Sequence, residues 1–167
     1  MIACLDAAYS DAASAAACIL AADWDAAAPV HETAIRAGAP APYEPGAFYR
    51  RELPLLLAVL KAAPLKPTAI VIDGYAWLDA AGRRGLGTYL FEAVACPVVG
   101  IGKTEFDGAT NWAQCVTRGA SASPLYITAA GMDASLAADA VRRMHGAARL
   151  PTLVRAADRV AREALRR

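Results

Sequence analysis

The sequence predicts an α/β fold, a mixed sheet with helices on its faces, and three observations lead there. Two short apolar runs at the N-terminus are separated by turn formers, as in an antiparallel hairpin. Later runs are continuously apolar or β-branched, the pattern of strands buried on both faces of a sheet. Segments of helical periodicity alternate with these later strands.

Met1 to Ala8 and Ala15 to Ala22 are the hairpin strands, joined through Tyr-Ser-Asp-Ala-Ala-Ser, and Val30 to Ala37 supplies a third antiparallel strand. Pro40, Pro42 and Pro45 with Gly46 make a rigid loop, because each proline fixes its own φ and restricts its neighbour. A helix follows from about Phe48 to Ala62 with Leu53, Leu56, Leu57 and Leu60 on one face, ended by Pro64 and Pro67. Thr68 to Ile72 is a β-branched strand closed by Asp73-Gly74. Gly85 to Ala95 reads as helix, Pro97 to Ile101 and Leu125 to Thr128 as strands. Asp133 to Met144, capped by Asp133, and Thr152 to Leu165 are amphipathic helices.

A chain of 167 residues has the length of one domain, and a single domain over 1–167 is expected. Although 57% of residues are nominally apolar, about a quarter are alanine, so large core residues make up about 30%. That suffices for one core. With 20% charge, three Trp and six Tyr, the composition excludes a disordered, collagenous or coiled-coil chain. Asp23, Asp25, Arg36 and Asp73 break every apolar stretch before the ~18 residues a membrane span needs. Met1 to Tyr9 lacks a basic n-region, so a cytoplasmic monomer without a membrane partner is expected. Cys4, Cys18, Cys96 and Cys115 show no metal-ligand spacing and read as buried reduced thiols. Residues 1–35 carry Asp6, Asp11, Asp23, Asp25 and Glu32 without Lys or Arg, whereas eight arginines follow from Arg142 onward. That basic flank fits either a polyanion or a solvated helix face.

The chemistry-bearing residues are acidic. Asp6 interrupts the first strand, Asp73 ends the most apolar one, and Glu52 lies in the first turns of the helix after the proline loop. A carboxylate in a central strand is costly to desolvate unless a cation compensates, and a divalent ion is the usual remedy for several converging carboxylates. Asp73 alone can equally serve a turn; Asp6 and Asp73 together point to a metal site. Lys103 follows Pro-Val-Val-Gly-Ile-Gly, where Gly100 and Gly102 let backbone or ligand approach, at the sheet edge where open α/β sheets hold ligands. The string is not a Walker loop. His31 and His145 have no triad partners nearby, and neither Gly-x-Ser-x-Gly nor GxGxxG occurs.

Pro42-Tyr43-Glu44-Pro45-Gly46 followed by Arg51-Glu52 resembles the PYxPG…RE motif of the endonuclease V family. Other blocks agree in order: Asp6-Ala-Ala-Tyr9, Val71-Ile72-Asp73-Gly74, Pro97 to Lys103, Ser123-Pro124-Leu125-Tyr126, and Arg149-Leu150-Pro151 with Arg155-Ala156-Ala157-Asp158. The resemblance implies an RNase H-like fold in which Asp6, Glu52, Asp73 and Asp158 bind Mg²⁺ or Mn²⁺ for phosphodiester hydrolysis. It implies action on nucleic acid containing hypoxanthine or inosine, nicked on the 3′ side of the altered base. Pro42, Tyr43, Pro45 and Gly46 would form a wedge filling the gap left by the turned-out base. Lys103 would sit by the scissile phosphate, with Tyr9, Gly74, Trp77 and Arg155 contacting substrate.

The chain departs from the family in lacking its leading helix and in the compressed stretch between Lys103 and Ser121. Glu44 puts a charge in the wedge, and YAWLDAAGRRGLG replaces a histidine-bearing segment after Asp73, with Asp79 near the usual histidine position. Tyr75, Trp77, Asp79, Arg83 and Arg84 are accordingly expected to line the cleft, although Trp77 could equally pack as core. Two other activities compete with the inosine endonuclease: a catalytically weak nucleic-acid-binding relative, and a nuclease of this fold acting on another structure.

Overall fold

The apolar runs become strands of one seven-stranded sheet in a computed structural model that describes residues 1–42 and 49–167. β1 (Ile2–Tyr9), β2 (Ser14–Ala21) and β3 (His31–Ala37) pair antiparallel. β4 (Ala69–Asp73) continues parallel to β1, and β5 (Val98–Gly102) parallel to β4. β6 (Gln114–Val116) and β7 (Leu125–Ala130) complete the order β3-β2-β1-β4-β5-β7-β6. This is the expected RNase H-like sheet, antiparallel first and parallel afterwards. The last two strands add a finding. β7 runs antiparallel to β5, because no crossover helix intervenes to turn the chain back, and β6 pairs only with Leu125–Ile127 of β7. Three residues carry no readable alternation, so β6 left no signal in the sequence.

Helices α1 (Tyr49–Ala62) and α2 (Leu86–Val94) cover one face, α3 (Ala134–Arg143) and α4 (Thr152–Arg166) the other. Period-two alternation sends Ile2, Cys4 and Val71 toward α3 and α4, and Ala3, Leu5, Ile70 and Ile72 toward α1 and α2. Each fully buried Leu or Ile in these layers contributes about 2 kcal/mol, which makes the central strands the rigid frame of the molecule. Ala157, Ala161 and Ala164 line the buried side of α4, so its backbone lies close to the sheet. Asp133 caps α3 as expected, accepting from the backbone N of Ser135 at 2.8 Å and of Leu136 at 3.1 Å.

Helix α1 buries Glu52, Leu55, Leu56 and Val59, while Leu53, Leu57 and Leu60 pack at its margin. The buried stripe is therefore rotated slightly from the expected one. Exposed Pro54 removes one intrahelical donor without ending the helix, which that stripe holds against the sheet. Cys4 and Cys18 are buried as expected, but Cys96 is half-buried and Cys115 exposed, the latter because it lies on the short edge strand. Among the described residues no helix is long and apolar enough to cross a membrane.

Candidate active site

Two strand neighbours set the site. β1 and β4 pair in parallel through Leu5 opposite Ile72, so Asp6 and Asp73 are the next residues on adjacent strands. Both share the parity of Cys4 and Val71 and face α4, which carries Asp158. Glu52 enters from the first turn of α1, on the other side of the sheet.

The electrostatics record this convergence. Burial first, then the Asp73 and Asp158 carboxylates, push Asp6 up to about 7, although the Ala7 N–H donates to its Oδ1 at 2.8 Å. Burial, followed by Asp6 and Asp73, pushes Glu52 up to about 8 against the opposing pull of Arg51. Tyr9 lies beside Glu52, and its hydroxyl is raised by burial and by that carboxylate. The Tyr9 Oη is buried short of a well-formed hydrogen bond, and the Arg51 guanidinium stacks 4.0 Å from the ring centroid.

Two cations of the chain compensate part of this charge. Lys103 Nζ forms an ion pair with Asp73 Oδ2, and Arg162 Nε donates to Asp158 Oδ1 at 2.7 Å. Among the described residues, no three His, Cys, Asp or Glu side chains stand ready-made around a metal position. The donor set nevertheless fits a hard divalent ion, being all carboxylate oxygen. Burial, and after it the neighbouring carboxylates that Lys103 and Arg162 only partly offset, raises Asp6 and Glu52. The structure thus brings Asp6, Glu52, Asp73, Asp158 and Lys103 together.

The segment after Asp73 takes a different course. A Cβ on Gly100 would meet Gly74 O and Ala76 N at 2.6 Å, and one on Gly102 would strike the Tyr75 ring. The two glycines therefore admit the chain's own loop. Ala76 N donates to Thr128 Oγ1 at 2.8 Å and Trp77 Nε1 to Ala129 O at 2.8 Å, so the loop crosses β5 to the edge of β7. Trp77 caps a strand carbonyl just where β6 has ended. Its ring also lines a cavity of about 460 Å³ with Asp79, Trp112, Met132 and Asp133. Tyr75 donates to Thr104 O at 2.8 Å, Arg83 pairs with Asp79 and Asp107, and Arg84 pairs with Glu92. The loop side chains are engaged within the protein.

Arg155 is exposed in a groove of about 820 Å³ that also contains Arg149, Arg159, Glu32 and Asp158. Gly74 donates from its backbone to Ile101 O at 3.0 Å, and Pro42 is exposed. Tyr43, Glu44, Pro45 and Gly46 lie outside the described residues. Arg118, buried among backbone carbonyls, escaped sequence reasoning, because a carbonyl partner has no residue identity to recognise.

A family model for endonuclease V matches residues 1–128. Endonuclease V of Rhodospirillum centenum is 31% identical over 149 residues, covering 77% of this chain and 61% of that protein. That of Streptomyces coelicolor is 40% identical over 65 residues, 39% of this chain and 28% of that protein. The chain thus matches less than two thirds of the length of these relatives. The crystal structure of endonuclease V from Streptomyces avermitilis superposes with a TM-score of 0.81 at 25% identity, covering 99% of this chain and 81% of that one. Ciona intestinalis endonuclease V, crystallised with a 24mer DNA containing an inosine followed by a ribo-adenosine, has the same fold. Its TM-score is 0.81 at 16% identity, over 99% of this chain and 85% of that one. The matched segment runs from β1 into β7 and so contains the strands that present Asp6 and Asp73: the chain belongs to the endonuclease V family.

Proposed function

We propose that the protein is an endonuclease that uses Mg²⁺ or Mn²⁺ to hydrolyse the phosphodiester on the 3′ side of a deaminated adenine, hypoxanthine in DNA or inosine in RNA. The observation that carries this reading is the gathering of Asp6, Glu52, Asp73 and Asp158 with Lys103 at one end of the sheet. Clustered negative charge is of no use to a protein that only binds phosphates. The Ciona relative was crystallised with inosine-containing DNA, and the same class of substrate is assigned here.

Bound by the four carboxylates, the ion would activate a water and stabilise the leaving oxygen. Asp6 and Glu52 would hold the ion as carboxylates and so would have to give up their protons. Lys103, held beside Asp73, would present its ammonium to the scissile phosphate, where it stabilises developing charge. Arg155, in the groove beside Asp158, takes a flanking phosphate, and Tyr9 and Gly74 border the reacting strand. The family resemblance assigns Pro42, Tyr43, Pro45 and Gly46 the role of a wedge that would keep the target base out of the stack. The exposed part of Trp77 supplies an aromatic surface in the neighbouring cavity.

A weak or inactive nucleic-acid-binding relative is the second reading, favoured by the ion pairs that Lys103 and Arg162 make with Asp73 and Asp158. One assay separates the two. Matched DNA and RNA oligonucleotides, with and without inosine, are incubated with the protein in Mg²⁺, Mn²⁺ or chelator. A single metal-dependent nick 3′ to inosine is expected; binding without cleavage of any strand leaves the second reading in place.

A further inference from the structure

The segment that carries Lys103 is exposed and tied down at a few points, by Tyr75 at Thr104 O and by Arg83 and Trp112 at Asp107. Lys103 is the first residue beyond β5, and residues 103–108 are all exposed. Its backbone carbonyl accepts a hydrogen bond from Nη2 of Arg149, which also donates to Pro124 O at 2.7 Å. One guanidinium therefore ties the end of β5 to the start of β7. The Nε of Arg149 is buried with no acceptor among the described residues, so the group is held by these carbonyls and its surroundings at the cost of one donor.

Arg149 is itself directed by a second arginine. Arg118, only 7% exposed, donates from Nη1 to Ala148 O at 3.1 Å and Arg149 O at 3.3 Å. Its Nη2 donates to Gly146 O at 3.1 Å and to Met144 O. Met144 is the C-cap of α3 and the other acceptors follow in the turn beyond it, near the helix end where the dipole favours a cation. The guanidinium thereby fixes 144–149 as one turn, from which Arg149 reaches back to Lys103.

We propose that Arg149, aimed by Arg118, is a positioning residue that holds Lys103 over Asp73. Its catalytic meaning rests on the nuclease reading above, whereas its hold on Lys103 rests on geometry alone. Both carbonyls are met by the one Nη2 nitrogen, whose two hydrogens lie in the fixed guanidinium plane, whereas the hydrogens of a lysine ammonium at the same place rotate freely. Removing the guanidinium leaves the Tyr75 bond to Thr104 O as the nearest tie, loosens the Lys103 backbone and lowers the occupancy of its ammonium on Asp73.

The chain has three lysines, Lys61, Lys66 and Lys103, so amine acetylation followed by mass spectrometry reads Lys103 against two internal controls on the folded protein. Asp73→Asn sets the rate of an unpaired Lys103. Arg149→Met should raise Lys103 labelling roughly two- to fivefold over wild type, the range an exposed ion pair supports, with Lys61 and Lys66 unchanged and Arg149→Lys between. A wild-type rate in folded Arg149→Met overturns the proposal whatever happens to cleavage. Should that variant fail to fold, Arg149→Lys carries the comparison, and a wild-type rate there overturns it equally. On an inosine-containing oligonucleotide with Mn²⁺, Arg149→Met should lower single-turnover kcat about 10- to 100-fold, with Kd held within about twofold. Weaker binding at unchanged kcat would make Arg149 a phosphate contact and end the positioning role. A wild-type protein that cleaves nothing removes the nuclease reading, and the labelling result alone then decides whether Arg149 holds Lys103.

Discussion

Asp6 and Glu52 make the metal-free protein less stable as pH rises, and Asp6→Asn isolates that effect. The carboxyls titrate at about 7 and about 8 in the folded chain, against an ordinary range near 4 when unfolded. A raised carboxyl pKa means that the folded state holds its proton more tightly. The resulting stability is complete below pH 4 and is lost as pH rises through the folded values. At about 1.4 kcal/mol per pH unit, Asp6 alone has a ceiling of about 4 kcal/mol. The two groups share their repulsion, so their ceilings do not add, and water reaching the half-buried Asp6 screens it, leaving about 1–2 kcal/mol.

Asparagine keeps an oxygen for the Ala7 N–H and removes the charge. Asp6→Asn should therefore melt about 2–8 °C above wild type at pH 8 in chelator, a chain of this size gaining about 2–4 °C per kcal/mol. At pH 4 the two should melt together. Adding Mn²⁺ at pH 8 should raise the wild-type melting temperature and close the gap. Thermal unfolding followed by circular dichroism from pH 4 to pH 9 measures all three. A difference that is constant with pH, or one that grows toward acid, would refute the claim that burial and the neighbouring carboxylates destabilise the ionised Asp6.

Asp73→Asn should abolish metal-dependent cleavage while the circular dichroism spectrum persists; cleavage retained at the wild-type rate would remove Asp73 from the chemistry. Tyr43→Ala should weaken binding of inosine-containing substrate by about 1–3 kcal/mol, the worth of one stacked base, measured by fluorescence anisotropy. Replacing Arg159 and Arg162 together with Ala should lower affinity for all sequences and shrink the slope of log K against log salt by up to about 2, leaving any inosine preference intact. An unchanged slope would make those arginines only the partners of Glu32, Glu163 and Asp158 that the structure shows. Trp77→Phe removes the donor to Ala129 O and should cost about 1 kcal/mol in urea unfolding. No loss would mean that water already serves that carbonyl.

What the sequence disclosed followed from side-chain pattern. Apolar runs with turn formers between them, β-branched runs and helical periodicity located β1 to β5, β7 and all four helices, because burial selects residue type with a fixed period. Asp6 and Asp73 were legible for the same reason, as charges in strands that otherwise admit none. Other features had no such signature. β6 is too short to alternate, and Trp77 reads alike whether it faces substrate or caps the β7 edge. The glycines of β5 announced a close approach without saying that Tyr75 and Ala76 make it. Asp158 was placed only by its motif, since on α4 an acidic residue four positions from Arg162 looks like any surface pair.

The unreadable contacts have a common chemistry. Arg118, Arg149, Trp77, Tyr75 and Thr88 all donate to backbone carbonyls, of Ala148, Lys103, Ala129, Thr104 and Ala76 respectively. Every residue offers a carbonyl, so neither spacing nor composition marks the acceptor. These bonds nonetheless fix how the loops around Lys103 and after Asp73 lie on a sheet whose own register is set by apolar burial. The loops can accordingly change identity without disturbing the carboxylates, provided the donors survive. Under the proposed function, recognition of the base would then be adjustable within a frame that keeps Asp6, Glu52, Asp73 and Asp158 in place, and this chain's replacement of the segment after Asp73 would bear on which nucleic acid is cut more than on whether cutting requires a metal ion.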